Sequence, residues 1–395
     1  MGKRKLNLFI PVSNQFKERS KHSARVYAPQ ESFRTDRIFK FIVKRHKIFF
    51  HPFWFVNRLS LMSILMCGSL VTCFFLSSCS GDNNKDAVET KNTLHVPALP
   101  PAPRFNKDSA YQFIKQQVDF GPRVPGTAAH GKCADYLAGK LKSYGLEVQI
   151  QNANVTTYDG KKFNLKNIIG SYNPGNNNRI LLLAHWDTRP WADNDSQNKD
   201  KPNDGADDGA SGVAVILEIV RQLSIAKPDI GIDVLFDDLE DYGKENDINN
   251  STWCLGTQYW AKNPHIPGYK AKYGILLDMV GSKNAAFPQE GYSLKFAPYL
   301  VKRIWNKAAR LGYSGYFTFQ DVPPITDDHF YINTIANIPC VDIINMNPLT
   351  GQFGSHHHRH TDNMDNIDKN TLDMVGQTVL EVLWEEQQSQ LSQAY

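Results

Sequence analysis

Cysteine is scarce in this sequence and lacks the spacing of a metal-binding or redox motif. The chain has 395 residues and 6 cysteines, and no two of them form a Cys-x-x-Cys pair. Three lie in or beside an apolar segment near the N-terminus, which leaves Cys133, Cys254 and Cys340 in the rest of the chain. This arrangement argues against a zinc finger or a dithiol redox site, and it permits at most one intrachain disulfide.

An excess of charge is also missing from most of the chain. Residues 1–60 hold 14 Lys/Arg and 3 Asp/Glu, whereas the whole chain holds 44 and 40, so the remainder is net negative. The overall charge of +4 therefore does not indicate nucleic-acid binding, and we expect no nucleic-acid partner. With 41% hydrophobic and 21% charged residues, the composition favours a folded protein over a disordered one.

Only one long apolar run is present, at residues 59–76, after Arg58 and before the sequence LSSC that ends at Cys79. A basic flank, an apolar run and small residues are typical of a secretory signal. The LSSC ending resembles a bacterial lipobox, whose cysteine becomes the lipidated first residue of the mature chain. We therefore predict a basic leader and lipoprotein-type signal over residues 1–79, and a lipoprotein anchored in the cell envelope through Cys79, facing the periplasm or the exterior.

Two features of this leader leave alternatives open. The apolar run is long enough to be an uncleaved membrane-spanning helix. The 58 residues before it are unusually many for a signal, so either the true start lies near Met62 or the chain has a genuine basic tail.

After the leader, the sequence predicts a Pro-rich tether at residues 80–105 and a single domain at 106–390. Apolar spacing of three and four residues alternates with short, continuous apolar runs, which favours a central mixed, largely parallel sheet flanked by helices, an α/β fold. Helices are predicted at 109–120, 128–144, 211–223, 298–311 and 371–388, and strands at 146–151, 164–170, 180–184, 232–236, 273–277 and 339–344.

Acidic and histidine residues follow several of these predicted strands. In open α/β sheets, ligands bind outside the carboxyl ends of the strands. The residues concerned are His185, Asp187, Asp207, Asp208, Glu240, Asp241, Asp278 and the histidines of 356–360. Each motif alone is weak, but carboxylates and imidazoles at successive strand ends indicate a Zn²⁺ site.

The order of these motifs resembles the zinc aminopeptidase and glutaminyl cyclase superfamily. The motifs are HWD at 185–187, GADDGASG at 205–212, ED at 240–241, LDMVG at 277–281 and HT at 360–361. Within that superfamily, TRPWADND at 188–195 and DDH at 327–329 are similar to bacterial glutaminyl cyclases of the animal type. The resemblance covers about residues 106–388 and implies one catalytic domain with the zinc aminopeptidase-like fold.

The resemblance also implies a metal centre. Asp208, Asp241 and His360 match the zinc ligands, and Glu240 matches the general base and acid. Three protein ligands leave the fourth zinc position open, as catalysis requires. In the family, the peptide bond that joins Asp208 to Gly209 is cis.

Around this centre, Asp278 and Asp327 match acids that form a catalytic hydrogen-bond network with Glu240. His185 and Asp187 match positions that either hold a second metal ion or support the first. Looser matches for the substrate pocket are Trp253, Phe353 and Trp191. The chain departs from animal cyclases at Arg359, where those enzymes have an aromatic residue before the last ligand.

Three neighbouring histidines, His356, His357 and His358, are expected to be exposed or to lie behind the ligands. Asp237 and Asp238 are expected to be solvated loop acids.

These matches imply a glutaminyl-peptide cyclotransferase that acts on peptides and proteins with an N-terminal glutamine and uses one zinc ion. The main alternative is a two-zinc aminopeptidase, in which His185 and Asp278 hold a second zinc and Asp208 bridges the two ions. A non-catalytic binding module on the same fold is disfavoured, because Glu240 and each type of ligand are present.

Overall fold

The computed structural model describes residues 100–247 and 249–394, with side chains as far as residue 387. The predicted leader, the lipobox and most of the tether lie outside the described residues. Within the described part of the chain, no helix is both long enough and apolar enough to cross a membrane.

Helices and strands alternate along the domain. The helices are α1 (Lys107–Val118), α2 (Ala128–Ser143), α3 (Ala210–Ala226), α4 (Leu255–Lys262), α5 (Gly291–Phe296), α6 (Pro298–Arg310), α7 (Asp328–Thr334) and α8 (Lys369–Ala394). The strands are β1 (Glu147–Thr156), β2 (Lys162–Tyr172), β3 (Arg179–His185), β4 (Gly231–Asp237), β5 (Tyr273–Asp278), β6 (Phe287–Gln289), β7 (Phe317–Asp321) and β8 (Cys340–Ile344).

Six of the strands form one sheet in the order β1-β2-β4-β3-β5-β8. The last four of these run parallel to one another, whereas β1 and β2 pair antiparallel at one side. The strands β6 and β7 pair separately. The predicted α/β fold with a mixed, largely parallel sheet is therefore confirmed.

Both faces of the sheet are covered by helices. Along β3, Leu182 and Ala184 belong to the larger core, which includes α3, whereas Leu181 and Leu183 belong to a second core with residues of α4 and α7. Because β3, β4, β5 and β8 are buried along their whole length, their sequences are mostly apolar, with Asp233 in β4 and Asp342 in β8 as the internal acids. That is why the sequence pattern located these four strands to within one residue.

Local polar contacts set the helix boundaries that the apolar pattern missed. The side chain of Asn106 accepts hydrogen bonds from the backbone N–H groups of Asp108 and Ser109, both at 3.0 Å, so α1 begins before the predicted residue 109. The unpredicted elements α4, α5, α7, β6 and β7 are too short to show a clear period.

The end of the predicted tether is bound to the domain. Phe105 is buried, and its backbone N–H donates to the side-chain oxygen of Gln377 on α8 at 2.8 Å. Further along α8, the indole of Trp384 donates to the carbonyl of Pro100 at 2.7 Å. The segment that enters the domain is therefore attached along its last helix.

Strand register brings the predicted functional residues to one edge of the sheet. His185 at the end of β3 pairs with Asp237 at the end of β4, and Asp278 at the end of β5 pairs with Ile344. Parallel strands end at the same edge, so the loops that follow them meet there.

Close packing of α3 against the sheet requires a glycine at position 212. A Cβ atom there would lie 2.0 Å from the carbonyl oxygen of Leu277 on β5. We expect Gly212→Ala to lower the free energy of unfolding by about 1–3 kcal/mol through overpacking. Gly139→Ala on α2, where no atom lies within 4 Å of the new Cβ, is the matched control and should raise it by about 0.5–1 kcal/mol. Urea denaturation measures both, and equal stability of the two variants would contradict the packing argument.

Candidate active site

The loop after β4 is held in place by a buried aspartate. Asp187 is fully buried and accepts hydrogen bonds from the backbone N–H groups of Glu240 at 3.1 Å and Asp241 at 3.3 Å. Its nearer oxygen also lies 3.6 Å from Nδ1 of His185. These hydrogen bonds fix the backbone that carries two predicted site residues, Glu240 and Asp241.

A second buried aspartate holds the loop before α3. Asp362 accepts the backbone N–H groups of Asp207 at 2.7 Å and Asp208 at 3.2 Å. Asp207 in turn accepts from the backbone N–H of Gly281 at 2.6 Å and contacts the ring of His356 at 2.7 Å. The sequence argument missed Asp362, although it directly follows the HT motif.

Gly209 makes the sharp turn from this loop into α3. Its φ is 93°, and a Cβ atom would lie 2.4 Å from the carbonyl oxygen of Asp187. The bond between Asp208 and Gly209 is trans, because no cis peptide bond occurs among the described residues, so the expectation of a cis bond is wrong for this structure. The left-handed glycine accomplishes the change of direction instead.

Two carboxylates and one imidazole converge below the loops. Nε2 of His358 lies 3.0 Å from Oδ1 of Asp241 and 3.8 Å from Oδ2 of Asp208, and all three side chains are buried. The ring of His357 also has a nitrogen within 4.8 Å of ligand atoms of Asp208 and His358. The predicted pair Asp208 and Asp241 is thus brought together, with His358 beside it.

His360 does not take the place predicted for it. Its Nδ1 contacts Oδ2 of Asp195 at 2.5 Å, and its side chain is 39% exposed.

His358 points inward instead, and its backbone is left-handed, with a φ of 56°. The residue before the inward histidine is consequently His357, an aromatic ring, so the departure noted at Arg359 disappears. Both His356 and His358 have buried side chains, so neither is exposed. His358 faces Asp241 directly and does not lie behind it.

The carboxylate and imidazole atoms fit a zinc ion. Oδ2 of Asp208 and Oδ1 of Asp241 are buried and accept no hydrogen bond, so both are free to bind a cation. On the far side of the His358 ring, Nδ1 lies 3.6 Å from both Asp193 and Glu245. Oxygen and nitrogen donors backed by carboxylates that orient the imidazole are what zinc sites use.

His185 joins a second group that shares Asp208. Its Nε2 lies 3.1 Å from Oδ1 of Asp208 and 3.3 Å from Oδ1 of Asp278. These three side chains form a further possible metal-binding group, so both roles proposed for His185 stay compatible with the geometry.

Burial and neighbouring charge control the protonation of Glu240. Burial raises its pKa well above the usual value, the charge of His185 opposes this, and the charges of Asp241 and Asp327 raise it further. One oxygen of Glu240 lies 3.3 Å from Sγ of Cys254, whose thiol is a weak donor. A carboxyl group whose pKa is raised in this way is suited to take up and release a proton during a reaction.

Asp278 and Asp327 line the same cavity as Glu240, and a carboxylate oxygen of Asp327 lies within 4.8 Å of one of Glu240. Burial raises the pKa of each aspartate to about 6, an effect that the charge of His185 reduces. Asp237 and Asp328 lie near them, and both are fully buried. Burial raises the pKa of each carboxyl; the charge of Asp328 adds to this effect at Asp237, and the charge of Asp327 adds to it at Asp328. The expectation that Asp237 is a solvated loop acid is therefore wrong.

Asp238 is also buried, contrary to the same expectation. It contacts Nε2 of His130 at 2.8 Å and accepts the backbone N–H of Lys166 at 2.8 Å, which ties α2 and β2 to the end of β4.

The site contains a cavity of about 600 Å³. Its lining includes the acids and the inward imidazole described above: Asp208, Glu240, Asp241, Asp278, Asp327 and His358. Trp253 and Phe353, two of the three residues predicted for the substrate pocket, line it. The Trp253 ring lies nearly parallel to that of His358, with 6.0 Å between centroids. Trp191 does not line the cavity; it packs against Tyr242, with 5.2 Å between ring centroids.

The position of the metal-binding histidine can be tested by mutation. His358→Ala should lower zinc affinity by at least tenfold, because it removes the imidazole beside Asp208 and Asp241. His360→Ala is the matched control and should retain zinc, since its ring bonds to Asp195 at the surface. Elemental analysis after dialysis measures the zinc retained. Loss of zinc from the His360 variant with retention in the His358 variant would restore the original assignment.

Comparison with known proteins agrees with this geometry. Residues 167–383 match peptidase family M28. A Zn-dependent exopeptidase from Parabacteroides distasonis is 53% identical, with a TM-score of 0.69, over 71% of this chain and 98% of that one. A glutaminyl cyclase from Bacteroides thetaiotaomicron, bound to N-acetylhistamine, is 52% identical with the same TM-score and the same shares. A leucine aminopeptidase precursor from the same species is 51% identical, with a TM-score of 0.69, over 72% and 98%.

Curated relatives are more distant. The glutaminyl-peptide cyclotransferase of Drosophila melanogaster is 25% identical over 173 residues, which are 42% of this chain and 46% of that protein. The chain spans about half the length of the curated relatives it matches. Zinc is the metal that the solved relatives indicate. Since the family match covers more than half of the chain and the solved relatives are covered almost completely, the chain belongs to peptidase family M28.

Proposed function

We propose that the protein is a zinc-dependent glutaminyl-peptide cyclotransferase, an acyltransferase that converts an N-terminal glutamine into pyroglutamate with release of ammonia. The observation that carries this proposal is the carboxyl of Glu240, whose side chain is 15% exposed and lines the same cavity as Asp208, Asp241 and His358. The identity of about half of all residues with solved bacterial glutaminyl cyclases supports it.

Asp208, Asp241 and His358 would hold the metal. When bound, zinc acts as a Lewis acid on the γ-carboxamide carbonyl of the substrate glutamine. The acid-rich cavity wall attracts the positively charged N-terminus of the peptide, and the rings of Trp253 and Phe353 exclude water from it.

Glu240 moves the protons of the reaction. It accepts a proton from the α-amine as the amine nitrogen attacks the γ-carboxamide carbon, and it returns a proton to the departing nitrogen, which leaves as ammonia. One C–N bond forms and one breaks, so no co-substrate is consumed. Because nucleophile and electrophile belong to one residue, the site mainly has to fold the side chain.

A two-zinc aminopeptidase is the second candidate. The contacts of His185 with Asp208 and Asp278 favour it, because a bridging carboxylate with ligands on both sides could hold two ions. Similarity to a leucine aminopeptidase precursor points the same way. Two zinc ions per chain and hydrolysis of Leu-peptides would identify this activity.

The two candidates differ in their products. We expect ammonia from a Gln-initiated peptide and no cleavage of a Leu-initiated chromogenic peptide. Removal of zinc with a chelator should abolish ammonia release, and Glu240→Gln should lower kcat by at least about 100-fold because the proton carrier is lost. The matched control Glu147→Gln, on the exposed strand β1, should keep the parent rate. Cleavage of the Leu-peptide without ammonia from the Gln-peptide would reject the cyclase.

We further propose that Cys79 carries a lipid that tethers the enzyme to the cell envelope, on the side facing the periplasm or the exterior. The support is the basic flank, the apolar run and the LSSC ending.

Metabolic labelling with an alkyne fatty acid tests the anchor. The parent chain should incorporate the label and sediment with membranes, whereas Cys79→Ala should lose the label. Cys73→Ala, within the apolar run, is the matched control and should keep it. Equal labelling of parent and Cys79→Ala would rule out the anchor.

A further inference from the structure

A second cavity adjoins the active-site cavity. It has a volume of about 1040 Å³ and shares Asn194, Phe353 and His357 with the active-site cavity. Asn194 joins the two surrounding loops, because its backbone N–H donates to the carbonyl of His358 at 3.2 Å and its amide donates to that of His357 at 3.3 Å. The two cavities are therefore neighbours that meet at Asn194, Phe353 and His357.

The two cavities carry opposite charge. The active-site cavity is lined by the acids Asp208, Glu240, Asp241, Glu245, Asp278 and Asp327. Among the described residues, the side chains that line the second cavity include no carboxylate, whereas Lys283 and Arg359 line it and are both exposed. We call this second cavity the cationic groove.

The remaining lining of the cationic groove suits a peptide backbone. It is rich in side-chain amides, which offer both donors and acceptors. These amides belong to Asn194, Asn284, Asn345, Asn347, Gln352 and Asn366.

Both cations remain free to bind a ligand carboxylate. The ammonium of Lys283 donates to the backbone carbonyl of Asp365 at 2.6 Å, which leaves its charge unneutralised. Asp195 lies near Arg359, but the hydrogen bond from the backbone N–H of His360 is the main cause of its lowered pKa, followed by the His360 ring, and the charge of Arg359 contributes least. No ion pair to Arg359 or Lys283 occurs in the part of the chain that the structure describes.

We propose that the cationic groove binds the residues that follow the N-terminal glutamine and favours peptides with Asp or Glu at these positions. This inference rests on the proposed function and names its substrate class. The substrate then lies with its ammonium in the acidic cavity and its downstream carboxylates beside Lys283 and Arg359, so both ends meet opposite charge.

Three peptides test the inference: Gln-Gly-Glu-Glu-amide, Gln-Gly-Ala-Ala-amide and Gln-Gly-Lys-Lys-amide. The zinc-loaded enzyme should prefer the acidic peptide over the neutral one by about two- to fivefold for each cation, through KM, as exposed ion pairs allow. Added salt should reduce the preference. Arg359→Gln and Lys283→Gln should each reduce it, and the double variant should bring the ratio of kcat/KM values close to one.

Lys132→Gln, on the exposed side of α2, is the matched control and should keep the parent ratio. Fluorescence anisotropy of C-terminally labelled acidic and basic peptides on Glu240→Gln gives the same comparison without turnover. Equal kcat/KM for acidic and basic peptides in the parent, or a preference that survives in the double variant, would overturn the inference alone. Absence of ammonia from Gln-Gly-amide would overturn the proposed function, and the inference with it.

Discussion

Two buried aspartates hold the backbone on which the site depends. Asp187 and Asp362 each accept two successive backbone N–H groups, and each pair of N–H groups belongs to a loop that presents an acid to the cavity. A buried carboxyl that accepts two backbone N–H groups satisfies donors that would otherwise lie unpaired away from water. These hydrogen bonds hold the loops so that Asp208 and Asp241 lie near each other even though like charges repel.

Burying so many carboxylates away from water costs free energy, which other interactions must offset. Part of the offset comes from histidines: burial by itself raises the pKa of Asp208, but the hydrogen bond to His185 and the charge of His358 hold it below the usual value. Part comes from retained protons, since burial and repulsion raise the pKa values of Asp237 and Asp328 behind the site. A divalent cation bound by Asp208 and Asp241 would offset the remaining repulsion between the carboxylates. Metal binding would therefore also change the pKa values of the acids that line the cavity.

The fold was accessible from the sequence because its central strands are buried on both faces and are therefore mostly apolar. The acids at the ends of β3, β4 and β5 followed directly from that, since parallel strands end at one edge. The histidine was not accessible in the same way. His356, His357, His358 and His360 lie in a turn with no periodicity, and a single left-handed residue decides which ring faces inward. Asp362 was missed because it acts through backbone amides, which leave no signature in the sequence.

The attachment of residues 100–105 to α8 has a mechanical consequence. Force applied along the chain from the N-terminal side reaches the hydrogen bonds at Trp384 and Gln377 first, and the helix behind them is packed into the core. Asp208 and Glu240, by contrast, are positioned by the hydrogen bonds of Asp362 and Asp187. The N-terminal segment and these two loops of the site are therefore held by separate sets of contacts.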